Sequence, residues 1–230
     1  MRVAVIGSKG FIGSCVVEHL RPHHDVVGVC RENYSELKGL SVDCLVNCGG
    51  NSRKYWANQN RVEDFKQSVL SVYESLLDFK YKRYVYISSL DAFGKNIYGY
   101  HKRLAETLIE NECSSYAILR CSAVIGKGMK KGVVKDIQDN VPLFVSPTSQ
   151  FKLITSSAVS EVVCKVLTPE SVSGCINVGS VDTVTPESIA FLLGKKVKYH
   201  DAVETQVFDY RTDDRFGFKT AEEYIMEIVS

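Results

Sequence analysis

The chain has 230 residues, 45% of them hydrophobic and 24% charged, with 28 Lys and Arg against 27 Asp and Glu for a formal charge of +1. That length accommodates one large α/β domain with a small satellite and buries a substantial core. The even charge excludes the basic excess of a nucleic-acid binder and the acidic tail of a disordered segment, and no apolar run is long enough to span a bilayer.

Taken in order, the chain opens on an apolar strand from Val3 to Ile6, with no basic region and apolar core of a secretion signal before it, so a cytoplasmic protein is expected. A helical stretch from Ile12 to Leu20 comes next, then strands from Val26 to Cys30 and Cys44 to Cys48. Helical patterning resumes from Val62 to Phe79, and a strand runs from Tyr84 to Ser88. A helix covers Lys102 to Asn111 and a strand Tyr116 to Arg120. The strands are continuously apolar rather than alternating, which suits a parallel sheet covered on both faces. Strand–helix alternation of this kind predicts a doubly wound, Rossmann-type α/β fold.

After residue 121 the pattern changes. The glycines and lysines between Gly126 and Gly132 read as a loop. Ser157 to Leu167 is helical, Cys175 to Val178 strand-like, and Thr185-Pro186-Glu187 is a helix start with proline in the first turn. Residues 1–121 are therefore expected to form a dinucleotide-binding domain, and 122–230 a small substrate-binding cap interleaved with it. The eight cysteines are scattered. Only Cys44 and Cys48 approach a pair, without a second pair or a nearby histidine, so reduced thiols are expected and no metal.

The residues that carry chemistry sit at strand ends. Gly7-Ser8-Lys9-Gly10-Phe11-Ile12-Gly13 joins the first strand to the first helix. Glycines there allow a tight turn and a close approach to a pyrophosphate, whose charge the free amides of the helix start can bind. Gly7, Lys9, Gly10, Phe11, Ile12 and Gly13 are thus cofactor candidates. The second strand ends in Cys30 and Arg31, where an NAD-selective protein usually has an acid for the ribose diol. Arg31 and Lys9 at that place suit the extra phosphate of NADP. Glu32 is the candidate acid if NAD is preferred instead. Tyr98 and Lys102 form a Tyr-x-x-x-Lys on one face of a helix's first turn. An ammonium beside a phenol lowers its pKa, and the phenol can then move the proton of a substrate hydroxyl as hydride passes to or from a nicotinamide. Upstream, Ser88-Ser89 puts hydroxyls at the carboxyl edge of the sheet. Asp91 reads as a loop or capping carboxylate, His101 as a helix-surface residue, and the loop holding Arg53, Lys54, Tyr55 and Trp56 as a mobile, substrate-facing segment.

With these motifs in place, the chain resembles the extended short-chain dehydrogenase/reductase family, in its branch of NAD-dependent epimerases and dehydratases acting on nucleotide sugars. Gly7, Gly10 and Gly13 match that family's glycine loop. Asn47-Cys48-Gly49-Gly50 is similar to the cofactor-contacting end of its fourth strand, which implies Asn47, Cys48 and Gly49 as cofactor contacts. Ser89 falls at the catalytic Ser/Thr position, five residues before Gly94, and Tyr98 and Lys102 match the catalytic pair, with Lys102 also holding the nicotinamide ribose. The run from Leu119 to Gly126 resembles the passage into the substrate domain, and Phe216-Gly217-Phe218 the closing motif. The resemblance further implies a homodimer through the helices at 62–79 and 102–111, where Val69, Val72, Tyr73, Leu76 and Leu77 supply an apolar stripe.

The chain also departs from that pattern. Only eight residues separate Ser89 from Tyr98, a shorter loop than the family carries. Ala123 and Ser68 stand where the family has asparagines, and Leu90 where its dehydratases have an acid. The expected function is an NADP-dependent (alternatively NAD-dependent) oxidoreductase or epimerase acting at a hydroxyl or keto carbon of a nucleotide sugar. A reductase of a smaller carbonyl compound and a non-catalytic dinucleotide-binding redox regulator are the alternatives.

Overall fold

A computed structural model describes residues 1–204 and 211–229. Its centre is a parallel sheet of six strands flanked by helices, a Rossmann-like α/β fold. In chain order the first elements are β1 (Arg2–Ile6), α1 (Phe11–Leu20), β2 (Asp25–Val29), β3 (Ser41–Asn47), α2 (Lys54–Gln59), α3 (Arg61–Phe65), α4 (Ser71–Asp78), β4 (Lys80–Ser89), α5 (Ile97–Glu112) and β5 (Tyr116–Cys121). Then come β6 (Ala123–Ile125), α6 (Val133–Gln138), β7 (Leu153–Thr155), α7 (Ser156–Lys165), β8 (Gly174–Val178), α8 (Pro186–Leu192) and α9 (Ala221–Val229). The sheet order is β2-β1-β3-β4-β5-β8. From β1 the chain moves outward to β2 and then returns across β1 to lay down β3, so the connections diverge above β1 and β3. Open α/β sheets bind ligands at the carboxyl ends of the strands at such a divergence.

Burial explains the continuous apolar strands. Val3, Ala4 and Val5 of β1 and Cys44, Leu45 and Val46 of β3 are fully covered. Leu45, Tyr84 and Tyr86 share a core with Val72 and Leu76 of α4, Ala105 and Ile109 of α5, and Ile118 of β5. One polar side chain in the sheet is handled by hydrogen bonding. Arg83 of β4 is completely buried, and its guanidinium donates to the Val166 carbonyl at 3.1 Å, to the hydroxyls of Ser115 at 3.0 Å and Ser173 at 2.6 Å, and to the Val172 carbonyl. A buried charge is costly unless its donors are satisfied, and here neutral oxygens satisfy them.

The chain divides into two compact units that alternate along the sequence. One comprises residues 1–120 and 157–176; the other comprises 121–156 and 177–230. Val166, Val172 and Ser173, between α7 and β8, tie this later stretch to the first unit by accepting from Arg83. The second unit contains the two-stranded β6–β7 sheet with α6, α8 and α9.

Two local expectations change. The helix expected over 62–79 is broken by a π-helical turn from Lys66 to Leu70. Its apolar stripe also splits: Val69, Val72 and Leu76 are buried while Tyr73 and Leu77 are exposed. The segment around Trp56 is a short helix, with the Arg53 guanidinium 4.4 Å from the Trp56 ring centroid, rather than a loop.

Candidate functional site

The glycine loop turns as its sequence requires. Gly7 has φ +76°, and a Cβ there would lie 3.1 Å from the backbone of Cys48 and Gly49. A Cβ on Gly13 would collide with the Gly7 carbonyl oxygen, so loop and helix pack backbone to backbone. No side chain caps the start of α1, where Gly10 is the N-cap and Phe11 and Ile12 begin the helix. Uncapped first-turn amides beside a glycine cradle fit the pyrophosphate of a dinucleotide.

At the end of β2 the charges arrange themselves differently from the expectation. Lys9 Nζ lies 3.2 Å from Glu32 Oε2, both strongly exposed. Glu32 is lowered to about 2, first by a hydrogen bond from the Cys30 thiol and then by its own backbone and Lys9. Lys9 is therefore compensated by a neighbouring carboxylate. Arg31, exposed, makes no ion pair among the described residues, so the excess positive charge here is that of Arg31 alone.

The end of β3 is organised by Asn47, whose side chain turns inward. Its Nδ2 donates to the Tyr84 hydroxyl at 2.8 Å and the Ser75 hydroxyl at 3.2 Å, and its Oδ1 accepts from the Gly49 amide at 2.8 Å. With its side chain so committed, Asn47 shapes the Gly49-Gly50 turn, while Cys48 and Gly49, partly exposed, form the surface there.

Adjacent residues of a strand face opposite sides, and this separates the two serines closing β4. Ser88 is buried and donates to Glu106 Oε1 at 2.5 Å, where Arg120 also binds the carboxylate through Nε and Nη2. Ser89 is at the edge; its hydroxyl accepts from the Asp91 amide at 3.1 Å, capping a 3₁₀ turn over Leu90–Phe93. Asp91 is held by Lys54 at 3.1 Å and by Asn96 at 3.3 Å, as a loop carboxylate. Asn96 then caps α5 by accepting the Gly99 amide at 2.9 Å.

This short path brings Tyr98 beside Ser89 and Lys102. Lys102 is buried, donating to the Tyr86 hydroxyl at 3.1 Å and the Ile87 carbonyl at 3.4 Å. Its ammonium stands 5.9 Å from the Tyr98 ring centroid. A lysine has three donors, so one remains beyond those two. The Tyr98 phenol is raised above its ordinary value, mainly by burial, against the opposing Lys102 charge and a hydrogen bond with Ser89. The ammonium acts in the expected direction and burial outweighs it. Gly50, at φ +105°, would place a Cβ 3.6 Å from Lys102 Nζ, so the β3 turn and the lysine share one edge of the sheet.

Several contributors were hidden in the sequence. His101 is buried, not on the surface, with Nδ1 2.6 Å from Asp64 Oδ2. Tyr86 likewise reaches the site, its hydroxyl accepting from Lys102 Nζ at 3.1 Å, while Glu106 ties Ser88 to Arg120. The available signal was the spacing of Tyr98, Lys102, Ala105 and Ile109, which marks the buried face of α5 and places Glu106 and His101 on its flanks. Among the described residues no group of His, Cys, Asp and Glu is arranged to hold a metal ion, and no helix is long and apolar enough to cross a membrane.

A glycine cradle above β1, with a Ser, Tyr and Lys together on β4 and α5, sits on a Rossmann-like α/β fold. The model of the NAD dependent epimerase/dehydratase family matches residues 3–141, and the chain belongs to that enzyme family. No curated protein matches it in sequence. Solved structures similar to it include MoeE5 in complex with UDP-glucuronic acid and NAD, with a TM-score of 0.84 and 18% identity over 98% of this chain and 97% of that one. A dTDP-4-dehydrorhamnose reductase from Bacillus anthracis in complex with NADP gives 0.80 and 16%, over 99% and 97%. A UDP-glucose 4-epimerase from Thermotoga maritima with UDP-glucose gives 0.77 and 16%, over the whole of both chains.

Proposed function

We propose that this protein is an NADP-dependent oxidoreductase or epimerase acting at a hydroxyl or keto carbon of a nucleotide sugar. The observation that carries the proposal is the gathering of Ser89, Tyr98 and Lys102 at the sheet edge beside the Gly49-Gly50 turn. The neighbours crystallised with UDP-sugars or NADP support the substrate and cofactor classes. Gly7, Gly10 and Gly13 admit the pyrophosphate, the amides of Phe11 and Ile12 bind it, and Cys48 and Gly49 border it. Arg31 faces the adenosine ribose, with the Lys9–Glu32 pair alongside. The bound dinucleotide supplies a hydride donor or acceptor. Ser89 donates a hydrogen bond to the reacting substrate oxygen, and Tyr98 gives that oxygen its proton or takes it away. Lys102 holds the nicotinamide ribose with its remaining donor and favours the phenolate. Because burial raises the phenol above its ordinary value, Tyr98 is better prepared as an acid, the role required in reducing a ketone.

The second unit is the proposed substrate cap. The compact turn between Ser89 and Tyr98 also favours a second reading, reduction of a smaller carbonyl compound, since it leaves less chain to enclose a nucleotide. We further infer a homodimer, supported by the outward row of Val62, Phe65, Leu70, Tyr73 and Leu77, and a cytoplasmic setting, supported by eight free cysteines. The deciding experiment follows dinucleotide absorbance together with the sugar products themselves, since epimerisation leaves the dinucleotide unchanged, against UDP- and dTDP-linked sugars and 4-keto sugars, with small ketones as the comparison. Turnover of a nucleotide sugar, lost in Tyr98→Phe, is expected. Turnover confined to small ketones would replace the first reading with the second.

A further inference from the structure

Beneath the helix that carries Tyr98 and Lys102 lies a polar cluster with no part in the proton and hydride chemistry. Asp64 of α3 is completely buried, as is Ser68, while Asn51 and His101 are nearly so. One Asp64 oxygen faces His101 Nδ1 at 2.6 Å. The other accepts the Asn51 amide nitrogen Nδ2 at 2.7 Å and the Ser68 hydroxyl at 3.3 Å. The Ser68 hydroxyl in turn accepts the Asn51 backbone amide at 3.4 Å. A carboxylate can be kept in the interior only when donors surround it, and this one has three.

The ends of the cluster give it meaning. Asn51 immediately follows the Gly49-Gly50 turn, and His101 immediately precedes Lys102. One carboxylate thus ties the strand-end turn to the helix bearing the lysine, and the two meet where Gly50 lies beside Lys102 Nζ. Phe65 closes over the histidine edge-on, with ring centroids 5.6 Å apart. The π-helical turn makes the arrangement possible by bringing Ser68 round to face Asn51 and Asp64. Stability alone gives little reason for such a cluster, since well-packed apolar residues usually serve as well as a buried polar pair. Directional hydrogen bonds do what apolar packing cannot, fixing one backbone segment at a set distance and angle from another.

We propose that Asp64 and His101 form a positioning pair that sets the Gly49-Gly50 turn against the Lys102 ammonium and so determines how tightly the nicotinamide-ribose half of the dinucleotide is held. His101 does not touch the reacting atoms; it acts through Lys102. This role rests on the proposed binding of a dinucleotide at the same sheet edge.

The test measures binding by calorimetry, with the melting temperature recorded for every variant. The ligands are NADPH and NADH, and the fragments 2′,5′-ADP and ADP, which lack the nicotinamide ribose. In Asp64→Asn and His101→Phe the affinity for the preferred dinucleotide is expected to fall about ten-fold, as for loss of one charge-assisted contact. Affinity for the matching fragment is expected to change by less than about two-fold, since the glycine loop is untouched. His101→Gln, which keeps a donor towards Asp64, is expected to recover most of the loss. Ile109→Val, in the apolar core of the same helix, serves as the control: it lowers the melting temperature without changing the ratio of dinucleotide to fragment affinity. If His101→Phe does not fold, Asp64→Asn carries the comparison. Equal losses for dinucleotide and fragment, unchanged dinucleotide affinity, or no recovery in His101→Gln would overturn the proposal while leaving the functional reading intact. A parent protein that binds neither dinucleotide would overturn both.

Discussion

Tyr98 and its neighbours are where charge and burial compete most directly. The covered phenol is raised above its ordinary value of about 10, with Lys102 and Ser89 pulling the other way. Removing only the oxygen, as in Tyr98→Phe, is expected to lower kcat by about a hundred-fold or more while cofactor affinity stays close to that of the parent. Ketone reduction should hold steady through neutral pH and decline only at alkaline pH beyond the ordinary phenol range, as Tyr98 loses its proton, a profile of kcat/KM against pH being the check. Tyr84 and Tyr86, also fully buried and also raised by burial, make the same shift a matter of stability. An exposed phenol in the unfolded chain ionises near pH 10, before its folded counterpart. Their stabilising contribution is therefore complete below that pH and is lost as pH climbs towards the folded values, by about 1.4 kcal/mol per pH unit for each phenol. Urea unfolding between pH 8 and 11 measures it. Arg31→Ala is expected to weaken NADP binding by about ten-fold and leave NAD almost unaltered; equal losses would show that Arg31 does not read the phosphate. The Tyr-x-x-x-Lys spacing, the paired serines and the glycine loop were legible in the sequence because each is a local pattern. That Glu32 compensates Lys9, or that His101 turns inward onto Asp64, was not legible, because those partners lie 23 and 37 residues apart and only the fold brings them together.

At the scale of elements, the passage from β4 to α5 shows how a short connection constrains the helix it leads into. Ser89 caps the 3₁₀ turn, Asn96 caps the helix, and Arg103 donates to the Ala92 carbonyl at 2.6 Å. The first turn of α5 lies so close to this path that a Cβ on Gly99 would strike the Asp91 carbonyl oxygen. Gly99→Ala is expected to push the helix start away from β4, costing at least about 1–3 kcal/mol as overpacking does and lowering kcat with it, because Tyr98 moves with the turn. Thermal melting together with turnover tests this, and a variant of unchanged activity would show that the turn is free to adjust. A second tie runs through Glu106, which joins Ser88 of β4 and Arg120 of β5 from within α5. Glu106→Ala leaves a half-buried guanidinium without its partner and is expected to destabilise by about 3–5 kcal/mol. The strands and helices themselves were readable from apolar runs and caps. The π-helical turn was not, since one extra residue in a helix barely disturbs the apolar periodicity on either side, and Lys54–Gln59 lacks the apolar stripe that marks a helix.

For the molecule as a whole, the outward row on α3, α4 and the turn between them carries the expectation of a dimer. Sedimentation at micromolar concentration is expected to give twice the mass of the 25.7 kDa chain, and Leu77→Glu, placing a charge on that exposed row, a single mass with melting behaviour little changed. The order in which the chain is made adds a consequence of the Arg83 anchorage. Synthesis runs from the N-terminus at about 5–20 residues per second, and a domain ordinarily closes once its last strand has emerged. Here the carbonyls of Val166 and Val172 and the hydroxyl of Ser173 that receive the Arg83 guanidinium arrive only after the whole of 121–156 has left the ribosome. The first unit must therefore wait, with one charged side chain in its sheet only partly satisfied, by Ser115, while part of the other unit is produced ahead of its completion. Nascent chains arrested shortly before residue 166 should remain open to protease, and those released beyond residue 176 should resist it.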